Sequence, residues 1–176
     1  MSKTLADIIG DPIVFLEELF KRLEDIELDV EKYELDHICY RVESLDEYKV
    51  KKLELESFGE LLIESTVNGR LISTFKLHSP IVYKKRSIYL VELPAPKTQH
   101  SYKNGLEHAE FVSREPLEKI MARYPQYAFE AFGIHKKINP DITLKLGDFC
   151  IRFHNQSLFD VIKQEKKHVR SKYNSK

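Results

Sequence analysis

The segment Leu35-Asp36-His37-Ile38-Cys39-Tyr40-Arg41 is restated, in the character of its residues, as Leu106-Glu107-His108-Ala109-Glu110-Phe111-Val112. Each copy reads leucine, acid, histidine, a small or branched apolar residue, a variable one and an aromatic. Each is followed by a helix-like run and then by strand-like runs, so the repetition is one of architecture as well as letters. A chain of 176 residues can hold two small modules around one shared core, but not two ordinary independent domains. The expectation is therefore a single domain over residues 1–176, with module 1 at 33–95 and module 2 at 104–156.

Local signals fill in both modules. Asp11-Pro12 offers an N-cap followed by proline at the first helical position, and Ile13, Leu16, Leu19, Phe20 and Leu23 then recur at helical spacing. This predicts a cover helix over 12–25, outside the repeat and packed across both modules. Residues 35–42 alternate as a strand, with His37, Cys39 and Arg41 on one face. Ser44-Leu45-Asp46-Glu47 has capping-box spacing and opens a helix, with Phe58-Gly59 as its C-terminal stop. Strands 60–67 and 70–77 flank Asn68-Gly69, the two-residue signature of a type I′ hairpin. A polar loop around Pro80 to Arg86 precedes strand 87–93, in which Ile88, Leu90 and Glu92 share a face.

Residues 95–105 read as the connection between modules. Strand 106–112 places His108, Glu110 and Val112 on one face, and Glu115-Pro116 starts a helix to Arg123, with Pro125 against its extension. Residues 127–139 are irregular by pattern. A hairpin over 141–146 and 149–154 turns at Gly147-Asp148, and a last helix, 158–166, leads into a basic tail read as solvated. The fold class is α+β: two βαβββ modules forming a curved mixed sheet around a concave site, with extra helices at both ends.

Composition narrows the function classes. Lys plus Arg and Asp plus Glu are both 28, so no excess of positive charge suggests a nucleic-acid partner. The two cysteines, Cys39 and Cys150, form no CxxC, and no apolar run has membrane-spanning length or the form of a signal peptide. A cytoplasmic location, with no membrane partner, is the expectation.

The paired modules, with a histidine on each opening strand and an acid on the first module's last strand, resemble the vicinal oxygen chelate superfamily of glyoxalase I, extradiol dioxygenases and antibiotic-resistance proteins. More narrowly, Asp36 to Arg41, Asn68-Gly69-Arg70, Phe75 to His78, Val91 to Pro94, Gly105 to Glu110 and Arg152-Phe153-His154 resemble the YecM family over nearly the whole chain. The resemblance implies a divalent ion (zinc, nickel, manganese or iron) inside the sheet, with open positions for a bidentate oxygen ligand. It does not imply a substrate.

His37 and His108, at equivalent places on two facing strands, can bring two imidazole nitrogens to one ion. The competing reading is a pair of strand histidines hydrogen-bonded in the core. Glu92 occupies the place where the superfamily keeps a ligating carboxylate, or else it lies solvated at the strand's end. The fourth place departs from the glyoxalase pattern, because Phe149 to His154 contains no acid. Its counterpart of Glu92 is Phe153, or His154 if a bulge intervenes.

Glu110 is the candidate catalytic acid or base, with a pairing to Arg41 as its structural alternative. Arg41, Arg70, Lys76 and Arg152 are the groups able to hold an anionic substrate. Cys39 reads as packing, and His78, His100, His135 and His168 as exposed. These assignments point to a metal-dependent lyase, isomerase or dioxygenase acting on a small oxygen-bearing metabolite. The alternative is a non-catalytic module that sequesters a small ligand on the same face, as a monomer or a homodimer.

Overall fold

The two halves of the repeat become the two central strands of one sheet. The computed structural model describes residues 3–98, 101 and 103–173, and within these the order along the chain is α1 (Leu5–Ile9), α2 (Pro12–Asp25), β1 (Glu34–Arg41), α3 (Leu45–Leu55), β2 (Gly59–Val67), β3 (Arg70–Tyr83), β4 (Arg86–Pro94), β5 (Gly105–Val112), α4 (Leu117–Arg123), β6 (Asp141–Leu146), β7 (Phe149–His154) and α5 (Leu158–Tyr173). The mixed, seven-stranded sheet runs β2-β3-β4-β1-β5-β7-β6. Strands β1 and β5 are antiparallel to each other, while β1 lies parallel to β4 and β5 parallel to β7. Each module thus places its first and last strands side by side, and the four together form the middle of the sheet.

Several boundaries follow the sequence signals directly. The Asp11 carboxylate caps α2 by accepting from the Ile13 and Val14 amides, and the Ser44 hydroxyl caps α3 by accepting from Glu47. Asn68 and Gly69 both have positive φ, 50° and 79°, as a type I′ turn requires.

Other boundaries differ from the sequence reading. Strand β3 runs through His78 and Pro80 to Tyr83, where a loop is predicted, and turns at Lys84-Lys85 into β4. Its register against β4 shifts between Lys76 and Ile81, and β2 ends its pairing at Leu77. The missing proline N–H therefore falls where the ladder is already interrupted. Helix α3 ends at Leu55 rather than at Phe58-Gly59, so Gly59 opens β2 instead of capping a helix. Helix α5 continues past 166 to Tyr173, and α1, five residues closed by a Thr4-Asp7 capping box, precedes the cover helix. His78 and His135 are exposed. His100, the side chain of His168 and the last three residues of the basic tail lie outside the described residues.

The second module is shorter than the first. Between α4 and β6 the chain makes a single bridge, Glu130 to Thr143, where module 1 has β2. Pro125, Gly133 and Pro140 break any alternation there, and a Cβ at Gly133 would run into the Asp141 carboxylate. Aromatic hydroxyls pin the segment instead: Tyr127 donates to the Ile26 carbonyl at 2.5 Å, and Tyr124 accepts from the Asp29 amide at 3.1 Å.

One large core, built from Phe75, Phe111, Phe153, Ile38, Val91 and Ile151, joins the sheet to helices α1–α4. Helix α2 spans both modules, with Phe20 against Tyr83 and Phe111 and Phe15 against Phe149. Helix α5 belongs to a separate small cluster, in which Ile162, Leu158 and Phe159 pack on Leu62 and Leu90. Because Leu90 is the register partner of His37, α5 lies on the face that carries the histidines.

Gly59 tests the sheet's first hairpin. A Cβ there would stand 2.5 Å from the Lys76 carbonyl oxygen, a backbone atom that cannot swing away. Gly59→Ala is expected to cost about 1–3 kcal/mol in chemical denaturation, the usual range for overpacking.

Candidate metal centre

Strands β1 and β5 each carry one extra residue where they face one another. Leu35 pairs with Phe111 and His37 with Glu110, which leaves Asp36 without a partner on β5. Further along, Cys39 pairs with His108 and Tyr40 with Leu106, which leaves Glu107 without one on β1. In a regular strand an acid next to a histidine points to the opposite face; a bulge releases it from that alternation. The two bulged residues are the acids of the repeat, and each turns toward the histidine that follows it. His37 Nδ1 donates to Asp36 Oδ2 at 2.8 Å, and His108 Nδ1 lies 3.3 Å from Glu107 Oε2. With Nδ1 so engaged, each ring presents Nε2 to the concave face.

The Nε2 atoms converge on two carboxylates. His37 Nε2 is 3.7 Å from Glu92 Oε2 and 3.5 Å from Glu110 Oε1, and His108 Nε2 is 3.2 Å from the same Glu110 oxygen. Donor atoms of His37, Glu92, His108 and Glu110 all lie within 4.8 Å of one another. Two donors about 2.1 Å from one tetrahedral ion stand about 3.4 Å apart, so the spacing suits a cation of that size. His37, His108 and Glu110 are only 2%, 4% and 6% exposed, and neither Nε2 has a hydrogen-bond partner among the described residues. Buried polar atoms left in this way are costly unless another species occupies the space between them.

The remaining candidates from the sequence are placed as follows. His154, buried at the end of β7, has its Nε2 3.8 Å from Glu110 Oε2 and 3.7 Å from Asp36 Oδ2, and it groups with Asp36 and His37 rather than with the four-residue cluster. Its Nδ1 meets the Gln156 carbonyl and the Asn139 side-chain amide. Phe153, its neighbour, points the other way into the core.

Glu110 does not pair with Arg41. It accepts from Arg152 at 2.5 Å, and Arg152 Nε donates to the Thr143 hydroxyl. Arg41 is held by Glu107, Arg70 donates to the Ala95 carbonyl, and Lys76 stands 4.9 Å over the Phe159 ring. Cys39 is fully buried beside His108. Asp36 and Glu107 are the functional candidates that strict strand alternation missed. The signal that could have found them is the repeat itself, which keeps an acid before each histidine.

The family model described as YecM protein matches residues 4–165. The chain belongs to the YecM family. Protein YecM of Escherichia coli K12 is 28% identical over 176 residues, covering 92% of this chain and 94% of that protein. A solved structural-genomics structure, Protein EC4020, superposes with a TM-score of 0.75 at 27% identity, covering 92% of each chain. Streptomyces coelicolor methylmalonyl-CoA epimerase, solved with 2-nitronate-propionyl-CoA, reaches a TM-score of 0.52 at 13% identity over 71% of this chain and 95% of its own. The likeness to the epimerase is one of fold. No helix among the described residues is long and apolar enough to cross a membrane.

Electrostatics tie the centre's stability to pH. Burial alone pushes the His37 imidazole down, but Glu110, Asp36 and Glu92 outweigh it and lift the group to about 10. His108 follows the same course, burial opposed by Cys39 and Glu110, also to about 10. Glu110 is drawn the other way: burial raises it, yet Arg152, His37 and His108 hold it well below the usual carboxylate range. In the metal-free YecM chain the histidine contribution to stability is complete below the unfolded value of 6.5 and is lost as pH rises through about 10. The Glu110 contribution is present above its unfolded value of 4.5 and is lost as pH falls. The melting temperature of chelator-treated protein is expected to fall between pH 7 and 10, and saturating zinc to remove most of that fall, because the ion replaces protons the imidazoles no longer hold. A flat thermal-melt profile across that window would contradict the assignment.

Proposed function

We propose that His37, Glu92, His108 and Glu110 hold one divalent cation, and that the chain is a metal-dependent enzyme acting on a small oxygen-bearing metabolite. The observation that carries this reading is the convergence of buried His37 and His108 with the Glu92 and Glu110 carboxylates, their donor atoms within 4.8 Å of one another. Charge supports it. Asp36, Glu92, Glu107 and Glu110 bring four negative charges to the neighbourhood, against two positive charges from Arg41 and Arg152. In the metal-free chain the protonated imidazoles of His37 and His108 balance the remaining two, and with neutral imidazoles one divalent ion takes their place. The mixed nitrogen and oxygen donors suit zinc, nickel, manganese or iron.

When bound, the ion supplies Lewis acidity to a ligand oxygen. The protein's own groups divide the rest of the work. Glu110, held ionised by Arg152, is a poor proton acceptor near neutral pH, so its task is ligation rather than the acid-base role expected from the sequence. Glu92 has the more accessible carboxylate, with its side chain 16% exposed, and is the one placed to take a proton from a bound molecule. His154 Nε2 faces the same space and is available to the bound molecule. Of the expected substrate-binding groups, Arg41 and Arg152 are committed to carboxylates, while Lys76 has no carboxylate partner among the described residues and can receive an anionic group.

The depth of the centre and the helix laid over its face also fit a second reading, a module that sequesters a small ligand without turning it over. That reading predicts ligand binding unaffected by a chelator.

Elemental analysis of protein purified without a histidine tag and loaded with each metal in turn decides the main point. About one tightly held ion per chain is expected, falling below a tenth of that in His37→Ala and His108→Ala. A wild type that none of the four metals can load would overturn the proposal.

A further inference from the structure

The carboxylate that fixes His37 also holds the start of the last helix. Asp36 Oδ2 accepts from His37 Nδ1 at 2.8 Å and from the Leu158 backbone amide at 2.9 Å. Leu158 is the first residue of α5, and its N–H is one of those a helix leaves without an internal acceptor. Ser157 caps the same end, with its hydroxyl accepting from the Asp160 amide and its carbonyl from the Val161 amide.

Among the described side chains, the apolar contacts of α5 are the small cluster of Leu158, Phe159 and Ile162 with Leu62, Ile63 and Leu90, apart from the large core that binds the other four helices, and Val161 is buried beside them in sequence. It rests on the concave face next to His37, since Leu90 and His37 are register partners. An element whose described apolar packing is apart from the main core, and whose first amide shares the Asp36 oxygen with His37, can respond to what the centre holds.

We propose that Asp36 is a positioning residue that makes cation binding and the closure of α5 over the concave face a single coupled equilibrium. The inference rests on the metal reading above and adds to it how access to the site is controlled. An ion on His37 Nε2 fixes the ring and with it the Nδ1–H donor, which fixes the Asp36 carboxylate in the position that receives α5. Closure in turn holds the carboxylate against His37. By thermodynamic reciprocity, the factor by which the ion favours closure equals the factor by which closure favours the ion. A ligand molecule therefore enters with α5 displaced and is enclosed when the helix returns.

Two variants separate the arms of this link. Asp36→Asn keeps the shape but removes the charge from both contacts. Leu158→Pro removes the amide at a first-turn position where proline fits a helix and every ligand remains intact, and Leu158→Ala, which loses the same packing on Leu62 and Leu90 but keeps the amide, is its control. Zinc affinity is read by competition with a chromophoric chelator, and backbone protection of residues 158–167 by hydrogen-deuterium exchange of the full chain with and without zinc.

In the wild type, zinc slows exchange across α5. Asp36→Asn weakens zinc about tenfold and abolishes that slowing. Leu158→Pro weakens zinc about fivefold with the absorption spectrum of the cobalt-substituted protein unchanged, as a loss of coupling and not of a ligand requires. Unchanged zinc affinity in Leu158→Pro, together with α5 exchange that is the same with and without zinc in the wild type, overturns the coupling and leaves the metal centre standing. Failure of the wild type to bind zinc, nickel, manganese or iron overturns the centre itself and this inference with it.

Discussion

The antiparallel pairing of β1 with β5 is the contact on which everything else in this molecule depends. It joins the two modules, sets the register that brings His37 and His108 to one face, and carries a bulge on each side. A slip of one residue would send both histidines into the apolar core and Ile38 and Ala109 into the polar cup. The bulges do more than bend the strands. Each lets an acid escape the face that alternation dictates and stand behind the histidine that follows, so two short identical devices orient the two imidazoles.

The rest of the architecture keeps this seam in place while separating two incompatible environments. Phe111, Phe153, Ile38 and Val91 face the helices and are fully buried. Their immediate neighbours Glu110, Arg152, His37 and Glu92 face the cup and satisfy one another through charge. A sheet can keep charged and apolar groups this close only because successive side chains are driven to opposite sides. The cup side then lacks an apolar filling of its own, which is why its covering helix is attached by polar contacts and a handful of apolar side chains.

What could be read from the sequence was local. Asp11-Pro12, Ser44 and Asn68-Gly69 act through neighbours two or three positions away, and the repeated histidine announces itself by its own context. What could not be read depends on register. Alternation assigns Asp36 and Glu107 to the wrong face because an extra residue in one strand is visible only against its partner. The salt bridge of Glu110 with Arg152 joins two strands of the second module that lie 42 positions apart in sequence, and Arg41 is diverted to Glu107 by the bulge. Pro80 marked a loop by composition, yet it sits where β3 has already lost its pairing with β2. Helix α5 runs on because the charged residues after 166 are good helix formers with no glycine or proline among them, so charge alone was a poor guide to where order ends.

The modules are alike in ancestry of pattern but unequal in build, since the bridged segment of residues 124–140 stands where the first module has a full edge strand. The four groups proposed to hold the ion come in equal number from each side, yet the walls beyond them do not match. A prochiral molecule held between unlike walls meets different surroundings on its two faces, and its two orientations cease to be equivalent in energy. The missing strand thus removes the two-fold equivalence that a perfect duplication would give the cup.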